Sequence, residues 1–509
     1  RKGKEVGPEV NQIANAFPYA FIGAGDVRIA GGDGTIAAFR VKDGKRIWLA
    51  SVDGRAWSLA VAGDRLFVST DTGQISCFRH HAENSEPAEV LRTTPVAGHE
   101  DDPQRYRQAA KWILDHSGVR RGYCLVLNSG NGHLACSLAR QSKLQIIAVE
   151  SDPALVAASR KRIDEYGLYG TRVSVHHVPD VSVLPYTDYM FNLIVDARIV
   201  DGKSVECLDD WRRLQRPYGG VVVTAMKPEG IHRRGPLTGA GDWTHLYANA
   251  SNTACSNDER VEGPLQLQWF GRPGPQQMVD RHHRTMAPLW KAGRLFIPGD
   301  NRVIAVDAYN GALLWNVEVP NMRRVGVYRD CGSMAAASDM LYVASGSRCI
   351  GLDVETGRQQ QEFFAADPDA DQARDWGYVA VEGDWLFGSA TRPGASRRGH
   401  SLDAIRDGLY WDAHPLVCSL ELFLIQRKTG RRIWTYRPMA GAMVNSTFTL
   451  GDGKIYFIES DNPATLEQPT GRSTLQDLLK LGCRLVALDC RDGSIAWSRS
   501  LALGNVQHV

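Results

Sequence analysis

The residues best suited to chemistry are Asn128, Gly130, Gly132 and Glu150, all in the stretch YCLVLNSGNGHLACSLARQSKLQIIAVE from Tyr123 to Glu150. Glycines at 130 and 132 let the backbone turn sharply and come close to a ligand. The helical run expected next, ending near Arg140, offers unpaired N–H groups to an anionic group. Glu150 closes a second apolar strand, Ile146 to Val149, twenty residues past Gly130. An acid at that distance is the expected partner of a ribose hydroxyl in a nucleotide-binding βαβ unit.

These residues need a sheet to hold them, and the surrounding sequence supplies one. From Pro103 to His116, Tyr106, Ala109, Ala110, Ile113 and Leu114 fall on one stripe and predict a helix. After Glu150, Asp152 is placed as an N-cap, Pro153 as the first helical residue and Gly167 as the stop. Apolar strands follow at VSVHHV, FNLIVDA and GGVVVTA, with a helix around Ser204 to Leu214. Strand and helix alternate to Ala225, which calls for a parallel α/β sheet.

The 509 residues suggest about three domains at roughly 150 residues each, although repeat folds break that prior. A net charge of +2 favours neither nucleic acid nor an acidic membrane surface as partner. Hydrophobic content of 43% is ample for sizeable cores, and no run of eighteen apolar residues reads as a transmembrane helix. The ten cysteines are scattered singly without a C-x-x-C, which argues against zinc ribbons and c-type haem attachment. Cys124 and Cys483, on apolar strands, read as small core residues. The chain starts at Arg1 without a charged-then-apolar leader and is expected to be a processed or truncated product, so its start does not reveal the compartment.

On both sides of the α/β stretch one cycle repeats: strand, turn, strand, a dipeptide ending in Gly, then Trp. It occurs at Asp43-Gly44…Trp48, Asn310-Gly311…Trp315, Thr429-Gly430…Trp434 and Asp492-Gly493…Trp497. At Thr356-Gly357 the turn recurs, with Glu362-Phe363 where Trp is expected. Each dipeptide supplies a positive-φ conformer, and each Trp is placed to pack between neighbouring sheets. A period of roughly 40 to 60 residues with several strands per unit means a propeller. ALDCRDGSIAW and AVDAYNGALLW resemble the tryptophan-docking repeats of PQQ-like (quinoprotein-type, BamB-like) β-propellers, over most of residues 20–85 and 240–500. DWTHLYANASNTACS, from Asp242, is similar to the opening segment of such a propeller, and five or six blade-like units are visible. The resemblance implies a non-catalytic BamB-like scaffold rather than a PQQ-dependent oxidoreductase, since alcohol-oxidising members often carry a vicinal Cys pair and this chain has none. No metal site is expected. Asp280-Arg281-His282-His283-Arg284 reads as a packed or solvated rim, because no carboxylate or His partner stands at helical spacing.

The α/β blocks, in order, resemble the class I S-adenosylmethionine-dependent methyltransferases from Tyr123 to Ala225. VLNSGNGHLA matches the cofactor loop, VESDPALVAASRKRI the second strand and helix, DVSVLPYTDYMFNLIVD the adenine segment and fourth strand, and LQRPYGGVVVTA the turn before the fifth. The resemblance implies S-adenosylmethionine as cofactor. Gly130 and Gly132 would approach its methionine part, Glu150 would accept from both ribose hydroxyls, Asp180 would face the adenine amino group, and Asp196 would lie near the methyl acceptor. Asn128 replaces the family's acid and Leu134 its third glycine. Asn128 would lose a charge-assisted contact worth roughly 1.5 to 3 kcal/mol. Little room remains for the last two strands of a full methyltransferase. A rival reading is dinucleotide binding, since Gly130-x-Gly132-x-x-Ala135 also fits G-x-G-x-x-A.

The fold expected is multidomain, an all-β propeller of PQQ-like repeats interrupted by an α/β Rossmann-like methyltransferase domain. Its parts are blades in 1–85, a linker in 86–102, the α/β domain in 103–232 and further blades in 240–509. Three functions follow: methyl transfer to a small-molecule or protein acceptor held by the α/β domain and adjoining propeller rim; a propeller scaffold with a protein partner on its face and a degenerate methyltransferase domain; and PQQ-dependent oxidation. Compartment stays open, because the propeller resemblance suggests export and the cofactor suggests the cytoplasm.

Overall fold

The computed structural model describes residues 16–79, 104–271, 277–278, 286–324, 326–327, 329–366, 372–396 and 415–502. The linker 86–102 and the Asp280–Arg284 cluster lie outside them. The chain divides into two compact units, one within Arg1–Arg92 and one within Thr93–Val509.

In the first unit, six antiparallel strands pair in sequence order: β1 (Ala20–Ala24), β2 (Val27–Gly31), β3 (Asp33–Arg40), β4 (Arg46–Ala62), β5 (Arg65–Thr70) and β6 (Ile75–Arg79). Strand β4 is long enough to pair with β3 along its first half and β5 along its second. Ile29, Ile36, Ala38, Ala56, Leu66 and Val68 form the core, and Trp48 meets Phe78 edge-on at 5.2 Å.

The second unit begins with α1 (Gln104–Ser117), whose apolar stripe is the one the spacing predicts. A six-stranded sheet follows, built from β7 (Arg121–Leu127), β8 (Lys143–Glu150), β9 (Val173–His177), β10 (Leu193–Asp196), β11 (Val221–Val223) and β12 (Ile231–Arg233). Its order is β12-β11-β10-β7-β8-β9, with the first five strands in sequence parallel and β12 antiparallel at the edge. Numbered in chain order, the parallel strands run 3-2-1-4-5, so the order reverses between β7 and β10. Helices α2 (His133–Gln141), α3 (Pro153–Glu165) and α4 (Asp209–Leu214) cover it, and α4 starts later than Ser204. Alternation along β7 sends Cys124 and Val126 into one core layer and Leu125 and Leu127 into the other, as a sheet buried on both faces requires.

Four-stranded antiparallel blades occupy the rest. One is β13 (Leu289–Lys291), β14 (Arg294–Gly299), β15 (Arg302–Asp307) and β16 (Leu313–Glu318); the next is β17 (Met334–Ala336), β18 (Met340–Ser345), β19 (Arg348–Asp353) and β20 (Gln359–Phe364). The third is β21 (Asp375–Glu382), β22 (Trp385–Thr391), β23 (Leu416–Gln426) and β24 (Arg432–Tyr436). The short β25 (Met443–Val444) joins it to a fourth made of β26 (Thr449–Gly451), β27 (Lys454–Ser460), β29 (Cys483–Asp489) and β30 (Ile495–Leu501), while β28 (Arg472–Ser473) pairs with β23.

The repeated Gly and Trp hold neighbouring blades together. Trp315 Nε1 donates to Val354 O at 3.0 Å, and a Cβ on Gly357 would stand 2.7 Å from its ring. Trp434 repeats this with Cys490 O at 2.9 Å and Gly493, and Trp269 with Ala308 O at 2.9 Å and Gly311. Each indole thus bonds the carbonyl three residues before a glycine that must stay bare. Phe363, in the position without Trp, lies 3.9 Å from the Cβ that Gly430 lacks and makes no such hydrogen bond.

The segment from Asp242 acts as a spine for all four blades. Trp243 bridges Trp290 of β13, Thr244 O accepts Ala336 N of β17, and His245 Nε2 accepts Val381 N of β21. Ala250 O then accepts Leu450 N of β26.

Candidate functional site

Ligands of open parallel sheets bind beyond the carboxyl ends of the strands, where the strand order reverses. Here that point lies between β7 and β10, and the side chains there are Asn128, which follows β7 with φ 48°, and Asp196, which ends β10. Asn128 Nδ2 donates to Asp196 Oδ2 at 2.7 Å, spanning the crevice. Arg198 donates to the same carboxylate through its backbone N (2.9 Å), Nε (3.0 Å to Oδ1) and Nη2 (2.8 Å to Oδ2). Asp196 is 0% exposed, and these donors use the four or so lone-pair sites a carboxylate offers. Its side chain therefore braces the strand end and has no capacity left for a methyl acceptor.

The glycine loop and Glu150 are brought together as the spacing predicts. Gly130 N donates to Glu150 Oε2 at 2.8 Å, while Oε1 accepts Ser151 N (2.8 Å) and Asp152 N (3.2 Å). Glu150 is thus collared by backbone N–H groups, with acceptor capacity remaining on Oε2. The two glycines differ. A Cβ on Gly130 (φ 54°) would meet nothing within 4 Å, which leaves open space for a ligand. One on Gly132 (φ 79°) would stand 2.4 Å from Ser159 Oγ, so Gly132 is required by the packing of α2 against α3. In the same loop, Ser129 Oγ is buried without a hydrogen-bond partner among the described residues. Asp180 is exposed, and its Oδ1 accepts Ser182 N (2.9 Å) and Oγ (2.6 Å), bonds that hold its carboxyl below the usual range.

The first blade docks on the opposite edge of this sheet. Arg121, at the start of β7, donates to Leu314 O at 3.2 Å. Asn192, just before β10, accepts Asn310 Nδ2 at 2.8 Å and donates to Asp307 Oδ2 at 3.0 Å. Arg216, before β11, forms a buried ion pair with Asp307 and donates to Gly293 O at 2.9 Å. All three lie at the amino ends of parallel strands, on the order of 20 Å along β7 from Asn128. Among the described residues, these contacts of the blade fall at the amino ends of the strands and not at the edge that carries Asn128 and Asp196.

A second candidate lies among the blades, where a cavity of about 120 Å³ is lined by His245, Cys331, Tyr378, Asn445 and Phe448 among others. Cys331 (φ 153°) receives Arg324 Nη1 at 2.8 Å and Asn445 Nδ2 at 3.2 Å, and donates to Gly377 O at 3.3 Å. Burial pushes its thiol up to about 12, against the pull of Arg324. His245 accepts Val381 N on Nε2, so its proton is on Nδ1 beside Thr244 Oγ1 at 2.8 Å, and burial lowers its pKa to about 4. Most of this polar network closes on itself, while among the described residues Ser446 Oγ on the cavity wall and Asp330 Oδ2 are buried without a hydrogen-bond partner. The cavity is smaller than the roughly 300 Å³ at which ligand pockets begin, so among the described residues it does not fit a three-ring quinone such as PQQ.

Sequence reasoning missed Arg198, Asn192, Arg216 and Asp307. Asn192 alone left a trace, Gly122, whose absent Cβ would stand 2.2 Å from Asn192 Oδ1. The buried Arg324 and Cys331 left no local pattern.

Comparison with known proteins follows the same division. A family model described as outer membrane protein assembly factor BamB matches residues 32–97 and 235–459, more than half of the chain. No curated protein matches. Among solved structures, BamB from Moraxella catarrhalis is 15% identical, with 41% of this chain and 62% of that one covered and a TM-score of 0.19. A SAM-dependent methyltransferase from Aquifex aeolicus is 17% identical (24% and 66% covered, TM-score 0.21), and one from Geobacter sulfurreducens in complex with S-adenosyl-L-homocysteine is 20% identical (24% and 46%, TM-score 0.20). The chain spans less than two thirds of each of these three. The strand order of the α/β domain, 3-2-1-4-5 in its parallel part, is that of an open nucleotide-binding sheet.

Proposed function

Since the chain belongs to the propeller family of the outer membrane protein assembly factor BamB, we propose that it is a propeller protein with a Rossmann-like insertion that binds S-adenosylmethionine and transfers its methyl group. The observation that carries this is Glu150, which ends β8 with its carboxylate on Gly130 N at 2.8 Å, beside open space at Gly130. That arrangement suits an adenosyl ribose: Oε2 can accept a further hydroxyl, and the glycine lets the ligand approach the backbone. When bound, S-adenosylmethionine supplies an electrophilic methyl group. Such transfer depends on proximity and orientation, so a general base is dispensable. The methionine end is less well served, because Asn128 is neutral and its amide is committed to Asp196.

Calorimetric titration with S-adenosylmethionine and S-adenosylhomocysteine tests this, with Glu150→Ala as control. Binding by the wild type that is lost in Glu150→Ala supports it. No heat at millimolar ligand contradicts it.

The saturated carboxylate of Asp196 favours a second reading, a propeller scaffold whose α/β domain no longer catalyses. It predicts a protein partner whose capture survives Glu150→Ala.

A further inference from the structure

Away from both candidate sites, a recess of about 310 Å³ opens between α4 and the edge strand β12, lined by Cys207, Arg212, Gln215, His232 and Arg234. None of the five is acidic. Arg213, one residue from Arg212, is paired with Asp188 and Asp210, but neither Arg212 nor Arg234 forms an ion pair among the described residues. Arg234 is held in place: Nη1 donates to Arg212 O (2.6 Å) and Gln215 O (2.7 Å), capping α4, and its guanidinium lies 4.9 Å from the Tyr189 ring centroid. Those bonds use one nitrogen of the fork, and among the described residues its other donors make no hydrogen bond, which leaves them for a ligand. Gln215 is buried and fixed by Nε2 on Gly220 O and His232 O, both at 2.8 Å. His232 Nε2 meets Thr224 Oγ1 at 2.8 Å, which leaves Nδ1. Arg212 stands beside the Cys207 thiol, whose pKa burial raises, Arg212 lowers and the nearby Asp209 raises.

We infer that this recess is a binding site for a small organic phosphate, with Arg212 and Arg234 on the phosphoryl oxygens. Guanidinium groups are the side chains best matched to that anion, and two of them line this recess, one from α4 and one from just past the end of β12. The volume amounts to on the order of ten waters, more than a bare oxyanion fills, so an organic substituent has room beside Gln215 and His232.

The test uses the whole chain, titrated by calorimetry with glycerol 3-phosphate and with inorganic phosphate. In parallel, alkylation of Cys207 is followed by peptide mass spectrometry. The expected result is binding of glycerol 3-phosphate tighter than phosphate, slower alkylation of Cys207 in its presence, and about tenfold weaker binding in Arg212→Gln, with the melting temperature unchanged. Equal affinity for the two ligands would reduce the assignment to an oxyanion site and overturn the organic-phosphate claim. No binding and no protection of Cys207, or binding indifferent to Arg212→Gln, would overturn it entirely. Should Arg212→Gln unfold the domain, protection of Cys207 in the wild-type chain decides alone.

Discussion

Placing an acid at position 128 is expected to harm this protein, although methyl transfer as proposed would favour a charge there. In Asn128→Asp, a donor 2.7 Å from a fully buried carboxylate becomes a second carboxylate. The lost charge-assisted bond costs about 1.5 to 3 kcal/mol. Two like charges about 4 Å apart at an effective dielectric near 20 repel by about 4 kcal/mol, and Arg198 shared between them offsets part. Uptake of a proton limits the damage, since holding an acid of ordinary pKa 3.9 protonated at pH 7 costs about 4 kcal/mol. A net loss of about 2 to 4 kcal/mol is therefore expected at pH 7. The sign of its pH dependence follows. The folded variant holds a proton that the unfolded chain releases above pH 3.9, so its deficit shrinks as pH falls from 7 toward 4. Hydrogen exchange of the β7 and β10 amides, corrected for intrinsic rates at each pH, reads the loss locally. Asn128→Asp with Asp196→Asn should recover most of it. Wild-type protection in the single variant at pH 7 would refute the reasoning, because the new acid would then be turning outward and the Asn128–Asp196 bridge would not be holding the strand ends.

Other consequences can be checked independently. Because the pKa of His245 is lowered from 6.5 to about 4 by burial, the folded blades bind fewer protons than the unfolded chain between those values. Stability present above pH 6.5 should fall by about 3 kcal/mol as pH drops to 4, a slope that denaturant titrations should find missing in His245→Gln. Asp307→Asn leaves the buried Arg216 without its counter-charge and should cost about 3 to 5 kcal/mol in thermal or chemical unfolding, and Arg216→Met with Asp307→Leu should recover part of it. If the neutral Asn128 leaves the methionine part weakly held, adenosine should bind within about tenfold of S-adenosylhomocysteine in competition calorimetry. A much larger gap would show a cation partner that this account lacks.

Much of the fold was legible because local chemistry specified it. Positive φ at Gly44, Gly311, Gly357, Gly430 and Gly493 is what the turn dipeptides demanded, and docking of Trp315 and Trp434 between blades followed from their place after those turns. In the α/β domain, Asp152 caps α3 through Ala154 N and Glu150 meets Gly130, contacts set by spacing along two adjacent strands. The site's limits were less legible. Asp196 was identifiable as the end of a strand, but its saturation depends on Arg198 and on an Asn128 side chain arriving from 68 residues away. The docking of the first blade on the amino ends of the parallel strands rests on Arg216 and Asp307, distant in sequence and unremarkable in their own neighbourhoods. That contact could not be read from periodicity or from turn chemistry.

Hydrogen exchange of the full chain with and without S-adenosylhomocysteine tests the central claim most directly. Slower exchange is expected in the loop after β7 and the turn after β8, around residues 128–134 and 150–152, with the blade contacts at Asn192, Arg216 and Asp307 unchanged. No protection at saturating ligand, or protection confined to the blades, would contradict it.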